Sequence, residues 1–143
     1  MFIGGGFADA LGGKTMQVID PGTGEAFAEV PSCDQRDVDA AVRAARAAFD
    51  AGVWSDLAPG ERADIMFHFA DLVEANSGAI AMADSRSNGS PLAWVAGGLW
   101  VSCNTMRNLA WYAANKFSWE EEVGLSGSVF AWGENLIRRE PIG

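Results

Sequence analysis

The feature of this sequence that most restricts its fold is a long middle section in which apolar residues recur at helical spacing, with extended patterns at both ends. Residues 34–50 give the clearest helix. Asp34 is a favourable N-cap, and Asp37 and Asp39 lie in the first turn, where the helix dipole favours acidic groups. Gly52 is a stop signal. The predicted apolar stripe of this helix is Val38, Ala41, Val42, Ala45 and Phe49.

A second and a third helix are predicted after this stop signal. The second begins near Pro59, whose missing N–H is harmless in a first turn. The third begins at Asn76 and Ser77, which can cap it, and ends before the turn-forming residues 88–91. The predicted buried stripe of the second helix is Ile65, Phe69, Leu72 and Val73.

A fourth, longer helix is predicted from about Leu92 to Lys116. It contains Gly97 and Gly98, and each glycine costs about 1 kcal/mol of helix stability relative to alanine. A glycine pair in this position indicates close packing, a kink, or room left for another group.

Both ends of the chain predict short strands. Residues 15–19 alternate and residues 26–30 are again extended, with the turn-forming residues 20–25 between them, so a hairpin is expected within residues 1–32. Near the other end, residues 129–132 and 136–139 flank a predicted turn at 133–135. Taken alone, strands followed by helices and again strands indicate an α+β arrangement, and the last hairpin has little core of its own.

Charge and composition exclude several function classes. The formal net charge of −9 disfavours nucleic acids and anionic membrane surfaces as partners. Two cysteines do not make a disulfide framework, and no apolar run is long enough to span a membrane. The N-terminus lacks the basic and apolar regions of a signal peptide, so a cytoplasmic protein is expected.

Two nucleotide-binding motifs can be rejected. Residues 13–15 have the sequence G-K-T that ends a P-loop, but the first glycine of that motif is replaced by Ala8 and an extended segment follows. The chain contains no G-x-G-x-x-G.

The residues that most often act as nucleophiles or metal ligands are few and scattered. Cys33 lies in a turn and Cys103 in the fourth helix, while His68 lies between Asp64 and Asp71 on a polar helix face. A Cys–His pair is much less expected than ordinary structural roles, and one histidine with two distant cysteines makes a poor zinc site. Spacing and chemistry alone therefore predict no active site in this chain.

The order of short motifs along the chain resembles that of the NAD(P)-dependent aldehyde dehydrogenases. Residues 18–25 resemble the family's I-N-P-A-T-G-E turn, residues 88–91 its N-G-K-P turn, and residues 138–143 its R-x-E-P-V-G segment. The helices between them resemble the family's first helices. The other matching pieces are residues 2–5, 37–42, 44–49, 54–55, 61–62, 70–76 and 111–113, with Pro59 and Arg107.

The resemblance implies an α/β fold of which this chain is the N-terminal segment. On that basis we expect N-terminal β-hairpins, a layer of about four helices and a C-terminal β-hairpin. Residues 1–126, with strands within 1–32 and helices within 34–118, would belong to the NAD(P)-binding domain. Residues 127–143 would begin the oligomerisation β-ribbon, through which the family forms dimers and tetramers.

The resemblance also implies an activity and the place of its chemistry. The full-length enzyme would oxidise an aldehyde to a carboxylic acid with NAD or NADP, through a cysteine thiohemiacetal. In the family the catalytic cysteine and glutamate follow the segment that this chain matches. We therefore expect no catalytic and no cofactor-binding residue here, and a chain that is inactive and binds no cofactor by itself. The alternative is a short, non-catalytic interaction protein that docks on full-length subunits through its terminal ribbon.

Two lesser roles follow from the resemblance. Some family members bind a monovalent cation through a backbone carbonyl that corresponds to Ile19, and through an acidic side chain that is replaced here by Ser87. In the family the long helix lines the mouth of the aldehyde tunnel, which would place Gly97, Gly98 and Val101 near the substrate. The glycine pair would then leave space for a bulky aldehyde, with helix packing as the competing explanation.

Overall fold

A computed structural model describes residues 1–128 and 131–140 of the chain. The expected order of hairpins, helices and a final hairpin is confirmed. Each sheet is a two-stranded antiparallel hairpin, and the helices lie between the hairpins in the sequence. The elements are β1 (Phe2–Ile3), β2 (Gly6–Phe7), β3 (Thr15–Ile19), β4 (Ala26–Pro31), α1 (Gln35–Asp50), α2 (Pro59–Ala75), α3 (Ser77–Asn88), α4 (Leu92–Asn115), β5 (Glu120–Ser128) and β6 (Ala131–Arg138).

The β3–β4 hairpin forms at the predicted residues. Its turn is held by Asp20, whose carboxylate accepts the Gly22 N–H at 2.9 Å and whose carbonyl accepts the Gly24 N–H at 2.7 Å. Gly24 has a φ of 75°, a conformation that glycine adopts without steric cost. A bulge between Val18 and Ile19 shifts the register where the strand meets this turn.

Helix α1 begins with a reciprocal capping box. The Asp34 carboxylate accepts the Arg36 N–H at 2.9 Å, and the Asp37 carboxylate accepts the Asp34 N–H at 2.9 Å. The Arg36 side chain, followed by its backbone N–H, lowers the pKa of Asp34 to about 2. The other oxygen of Asp37 accepts the N–H of Leu11 at 2.9 Å, which lies 26 residues earlier in the chain. Asp37, predicted only as a dipole-stabilising residue, is 2% exposed and joins the N-terminal loop to α1.

The packed core lies mainly between α2 and α4, and its buried residues are small. They include Ala63 and Ala70 of α2 and Cys103 and Ala110 of α4. Small side chains let two helix backbones approach closely, so little volume separates them. At the edge of this contact Arg107 of α4 donates to Asp71 and Glu74 of α2, both at 2.6 Å.

The predicted apolar stripes of the helices are largely wrong as predictions of burial. On α1, Val38 and Val42 are exposed. On α2, Ile65, Phe69 and Leu72 are about half exposed, and of the predicted residues only Val73 is shielded to an intermediate degree. The buried residues of α2 are Ala63 and Ala70, so its packed face is the one with small side chains, whereas the buried residue of α1 is Asp37.

The junction between α2 and α3 has no linker. Asn76 ends α2 and α3 begins at the next residue. Its side-chain amide donates to the Leu72 carbonyl at 2.8 Å, so it caps the end of α2 and gives α3 no side-chain cap. Asn76 does occupy the N-cap position of α3, but the predicted side-chain cap is wrong, because its amide group is turned back towards the Leu72 carbonyl.

The C-terminal hairpin is present but its predicted turn is wrong. β5 begins in the acidic run at Glu120 and pairs with β6 from Glu120↔Arg138 to Ser128↔Ala131. Residues 133–135, predicted as the turn, lie within β6, where Gly133 and Glu134 pair with Ser126 and Leu125 of β5; the register shifts between Glu122 and Leu125. The expected boundary after residue 126 lies inside β5. Val129 and Phe130 of the predicted first strand, and the terminal residues 141–143, lie outside the described residues.

Candidate functional site

The most distinctive surface of the molecule is an open apolar face on the N-terminal half of α4. Trp94, Gly97, Gly98 and Val101 follow one another at helical spacing and so share a face. A β-carbon built on either glycine meets no heavy atom within 4 Å. Trp94 is 80% exposed. The concavity over this face measures about 830 Å³ and is lined by Ala93, Trp94, Gly97, Gly98, Trp100, Val101 and Ser102.

This geometry narrows the explanations for the glycine pair. Helix α4 runs without interruption from Leu92 to Asn115. Among the residues that the structure describes, no other element packs against Gly97 or Gly98 closely enough to require a missing side chain. Among the described residues the pair therefore faces open space, and α4 is not interrupted at this point.

The apolar face continues along α4 towards its C-terminal half. A second concavity of about 400 Å³ shares Val101 and Ser102 with the first, and it also includes Met66 of α2. Its remaining lining residues are Thr105, Met106, Leu109 and Ala110. No titratable side chain lines either concavity, so this surface can hold an apolar group but offers no general acid or base.

The surroundings of Ile19 carry an ion pair. The Arg86 guanidinium lies 3.2 Å from the carboxylate of Asp20, the residue after Ile19, and 4.2 Å from the ring centroid of Phe27. The Gly22 N–H, with Arg86 as a further cause, lowers the pKa of Asp20. Ser87 is exposed and donates its hydroxyl to Ala83 of its own helix at 2.7 Å. Arg86 thus places a positive charge next to the residue that follows Ile19.

The cysteines and the histidine lie apart. Cys33 is exposed and its thiol contacts the Met1 sulfur, whereas Cys103 is buried in α4. His68 is exposed on α2, where its neighbour Asp71 pairs with Arg107 instead. Across residues 1–128 and 131–140, no group of three or more His, Cys, Asp or Glu residues could hold a metal ion.

Comparison with known proteins identifies the family of this chain. A model of the aldehyde dehydrogenase family matches residues 7–143. The chain belongs to that family. It is 36% identical to aldehyde dehydrogenase 1 of Tanacetum cinerariifolium, over 92% of this chain and 29% of that protein. It is 43% identical to the mitochondrial aldehyde dehydrogenase family 2 member B4 of Arabidopsis thaliana, over 64% of this chain and 17% of that protein.

Solved structures of aldehyde dehydrogenases confirm the α/β family fold. A mutant of the P. syringae indole-3-acetaldehyde dehydrogenase AldA, in complex with NAD⁺ and IAA, matches with a TM-score of 0.78 and 32% identity. The match covers 90% of this chain and 25% of that one. KauB of Pseudomonas aeruginosa matches with a TM-score of 0.78 and 31% identity, over 89% and 25% of the two chains. The chain thus spans less than a third of the length of these aldehyde dehydrogenases.

For an aldehyde dehydrogenase segment, the structure adds two residues to the candidate surface that the sequence had not singled out. Trp94 and Trp100 line the same concavity as the predicted Gly97, Gly98 and Val101. Trp94 lies three residues before Gly97 and Trp100 three residues after it, so helical spacing could have identified both.

A polar cleft of about 540 Å³ lies elsewhere, where the β5–β6 ribbon meets the start of α2. It is lined by Ser55, Asp56, Pro59, Arg62, Trp119, Glu120, Arg138, Arg139 and Glu140. The arginines near the ribbon are paired: Arg138 with Glu120 and Glu140 at 3.0 and 3.2 Å, and Arg139 with Glu121 at 3.3 Å.

In the part of the chain that the structure describes, no helix is long and apolar enough to cross a membrane.

Proposed function

We propose that this chain is the N-terminal segment of an enzyme that oxidises an aldehyde to a carboxylic acid with NAD or NADP. The observation that carries the proposal is the family match over residues 7–143. The agreement in fold with an aldehyde dehydrogenase solved in complex with NAD⁺ supports it. In the full-length enzyme a cysteine thiolate would attack the aldehyde, and the cofactor would supply the hydride acceptor.

The chemistry belongs to residues outside this segment, and the chain alone is proposed to be inactive. The buried position of Cys103 supports this view, because a nucleophile must reach its substrate. Cys33 is exposed but contacts a methionine sulfur and no base. The sequence holds no glycine-rich loop of the dinucleotide-binding type, so we assign no NAD(P) contact to this segment.

Turnover measurements test this proposal directly. The purified 143-residue chain, given an aldehyde series with NAD⁺ or NADP⁺, should form no more NADH or NADPH than its Cys33→Ala/Cys103→Ala double variant. The longer protein that contains the segment should reduce the cofactor only when an aldehyde is present. Turnover by the short chain above the double variant would contradict the placement of the chemistry. A longer protein inactive on every aldehyde would contradict the function itself.

We propose further that Gly97, Gly98 and Val101, with Trp94 and Trp100, border the entrance through which the aldehyde passes. The apolar lining and the open space over the glycines support a bulky, apolar substrate. In the longer enzyme, Gly97→Ala/Gly98→Ala should raise KM for a bulky aromatic aldehyde and leave acetaldehyde unaffected. Gly78→Ala in α3, where a β-carbon also meets nothing within 4 Å, is the matched control. An equal effect on both aldehydes would contradict this role.

The monovalent-cation role of Ile19 stays a prediction that the local contacts disfavour. With Ser87 in place of an acidic side chain and Arg86 paired to Asp20, the carbonyl of Ile19 has little help in attracting a cation. The melting temperature in potassium chloride should therefore equal that in choline chloride at the same ionic strength. A specific rise with potassium would restore the cation site.

We also propose that the β5–β6 ribbon docks on a neighbouring subunit, giving a dimer or a tetramer. Leu136 and Ile137 at its end are exposed, and an isolated two-stranded ribbon is marginally stable in water. The NAD(P)-binding part would then end where the ribbon starts, at Glu120. We propose a cytoplasmic location, although the name of one relative places that plant enzyme in mitochondria.

The exposed ribbon also favours the second candidate function, a short protein that binds full-length subunits without catalysing the reaction. Sedimentation distinguishes the two candidates. A short chain that co-sediments with a full-length aldehyde dehydrogenase, and loses this when Leu136 and Ile137 are changed to Ser, would support the interaction protein. A short chain that sediments as a monodisperse monomer and does not co-sediment with the enzyme would exclude the interaction protein.

A further inference from the structure

Four side chains at the base of the β5–β6 ribbon form a cluster in which two adjacent aromatic rings lie between two arginines. The Arg62 guanidinium lies 4.6 Å from the ring centroid of Trp119, and the Arg139 guanidinium lies 5.6 Å from that of Phe117. The Phe117 and Trp119 rings meet edge to face with their centroids 4.7 Å apart. We call Arg62, Phe117, Trp119 and Arg139 the aromatic clasp.

The clasp joins elements that are otherwise connected only by a short segment. Arg62 belongs to α2, Phe117 and Trp119 lie between α4 and β5, and Arg139 follows β6. Two hydrogen bonds reinforce it: the Trp119 indole N–H donates to the Ala113 carbonyl of α4 at 2.9 Å, and the Arg139 backbone N–H donates to the Trp119 carbonyl at 3.0 Å. Both strands of the ribbon are therefore fastened at their base.

The clasp is the main described contact between the helices and the ribbon. Beyond it stretches the polar cleft of about 540 Å³, so the ribbon is not packed along its length against α2 at that side. A cation over an indole face is an attractive and directional contact, and edge-to-face rings resist sliding. Loss of one member should free the ribbon to swing while the α2–α4 core stays intact.

We infer that the aromatic clasp is a conformational device that presets the direction in which the ribbon leaves the helical layer, with Arg62 as its positioning residue. The clasp stands on its own contacts and does not depend on the proposed enzyme activity. Assembly through the ribbon does rest on the proposed function. A ribbon held in one direction would bind a second subunit without first paying the entropy of being ordered.

The experiment compares Arg62→Gln with Arg46→Gln in the 143-residue chain. Arg46 is the matched control, because its guanidinium also lies over an aromatic ring, that of Phe49 at 4.7 Å, but entirely within α1. The readouts are tryptic cleavage after Lys116, which immediately precedes the clasp, and hydrogen exchange at the Arg139 amide. Far-ultraviolet circular dichroism reports the helices.

Arg62→Gln should accelerate both readouts by about two- to fivefold, the factor expected for loss of one partly exposed cation–π contact. Arg62→Lys should fall in between, and Arg46→Gln should equal the wild type. Equal rates in Arg62→Gln and Arg46→Gln would overturn the inference. Phe117→Leu is the second variant: if it and Arg62→Gln both lose the helical signal, the clasp belongs to the core and does not act on the ribbon alone.

Discussion

Two parts of α4 contain similar apolar residues, but one is packed against other helices and the other is exposed. From Cys103 onwards, in what we call the packed half of α4, Cys103 and Ala110 are buried and Arg107 pairs with two carboxylates of α2. In the N-terminal half, Trp94 and Trp100 are exposed on a face that Gly97 and Gly98 leave open. The difference lies in what each part meets: Cys103 and Ala110 lie in a packed contact, whereas Gly97 and Gly98 have no neighbouring element among the described residues.

This contrast shows that apolar character by itself does not decide burial. Ala70 is 0% exposed, while Phe69 beside it on the same helix is 51% exposed. Close helix packing selects the face that allows the backbones to approach, and large apolar residues on other faces remain available to contact another surface. The open half of α4 is therefore the region where binding is expected, and the packed half the region that sets stability.

The largest expected effect is a size change in the packed half. Ala110→Leu should lower the free energy of unfolding by about 1–3 kcal/mol, because the larger side chain overpacks the α2–α4 contact. Ala96→Leu, at an exposed position of the open half, should change it by less than about 0.5 kcal/mol. Urea unfolding curves of both variants measure this. Equal losses would break the comparison, since the open half would then be packed as well.

The next largest effect has the opposite sign. Gly97→Ala/Gly98→Ala should raise the free energy of unfolding by about 1–2 kcal/mol, because alanine favours the helix and its methyl group meets open space. The same urea curves measure it, with Gly78→Ala in α3 as the reference for a helical gain elsewhere. A loss of stability would mean that another group fills the space above the pair.

The smallest effect concerns the polar edge of the packed half. Arg107→Gln removes both ion pairs to α2, and hydrogen bonds to Asp71 first and then Glu74 raise the pKa of Arg107 in the folded chain. We expect a slight decrease in melting temperature that shrinks in 1 M sodium chloride, because exposed pairs are screened by salt. Arg43→Gln removes the same charge from an exposed position of α1 and should have no effect. A decrease in melting temperature that is the same in 1 M sodium chloride would indicate that the aliphatic part of the Arg107 side chain stabilises the fold by packing instead.

The sequence predicted the order of the elements and the bounds of the helices closely. Asp34 as a cap, Pro59 as a first residue and Gly52 as a stop act locally, so their signals can be read without a fold. It could not predict which face of α2 is buried, because that depends on the shape of α4. The turn of the last hairpin was misplaced for a similar reason: the seven residue pairs between β5 and β6 outweigh the turn-forming character of residues 133–135.

The candidate surface was predicted in part. Gly97 and Gly98 were singled out because glycine weakens a helix. In the structure, a β-carbon built on either of them meets no heavy atom within 4 Å. The pairing of Arg86 with Asp20 could not be anticipated, because it depends on where a long side chain ends and joins residues 66 positions apart.

The buried carboxylate of Asp37 has a consequence for the order in which the chain takes shape. One of its two oxygens is satisfied within the first turn of α1, and the other only by the Leu11 N–H. During synthesis the N-terminal residues emerge first. Leu11 is therefore synthesised before α1, and its N–H is present when the Asp37 carboxylate becomes buried. Removal of the first eleven residues would take that donor away and leave one oxygen to water.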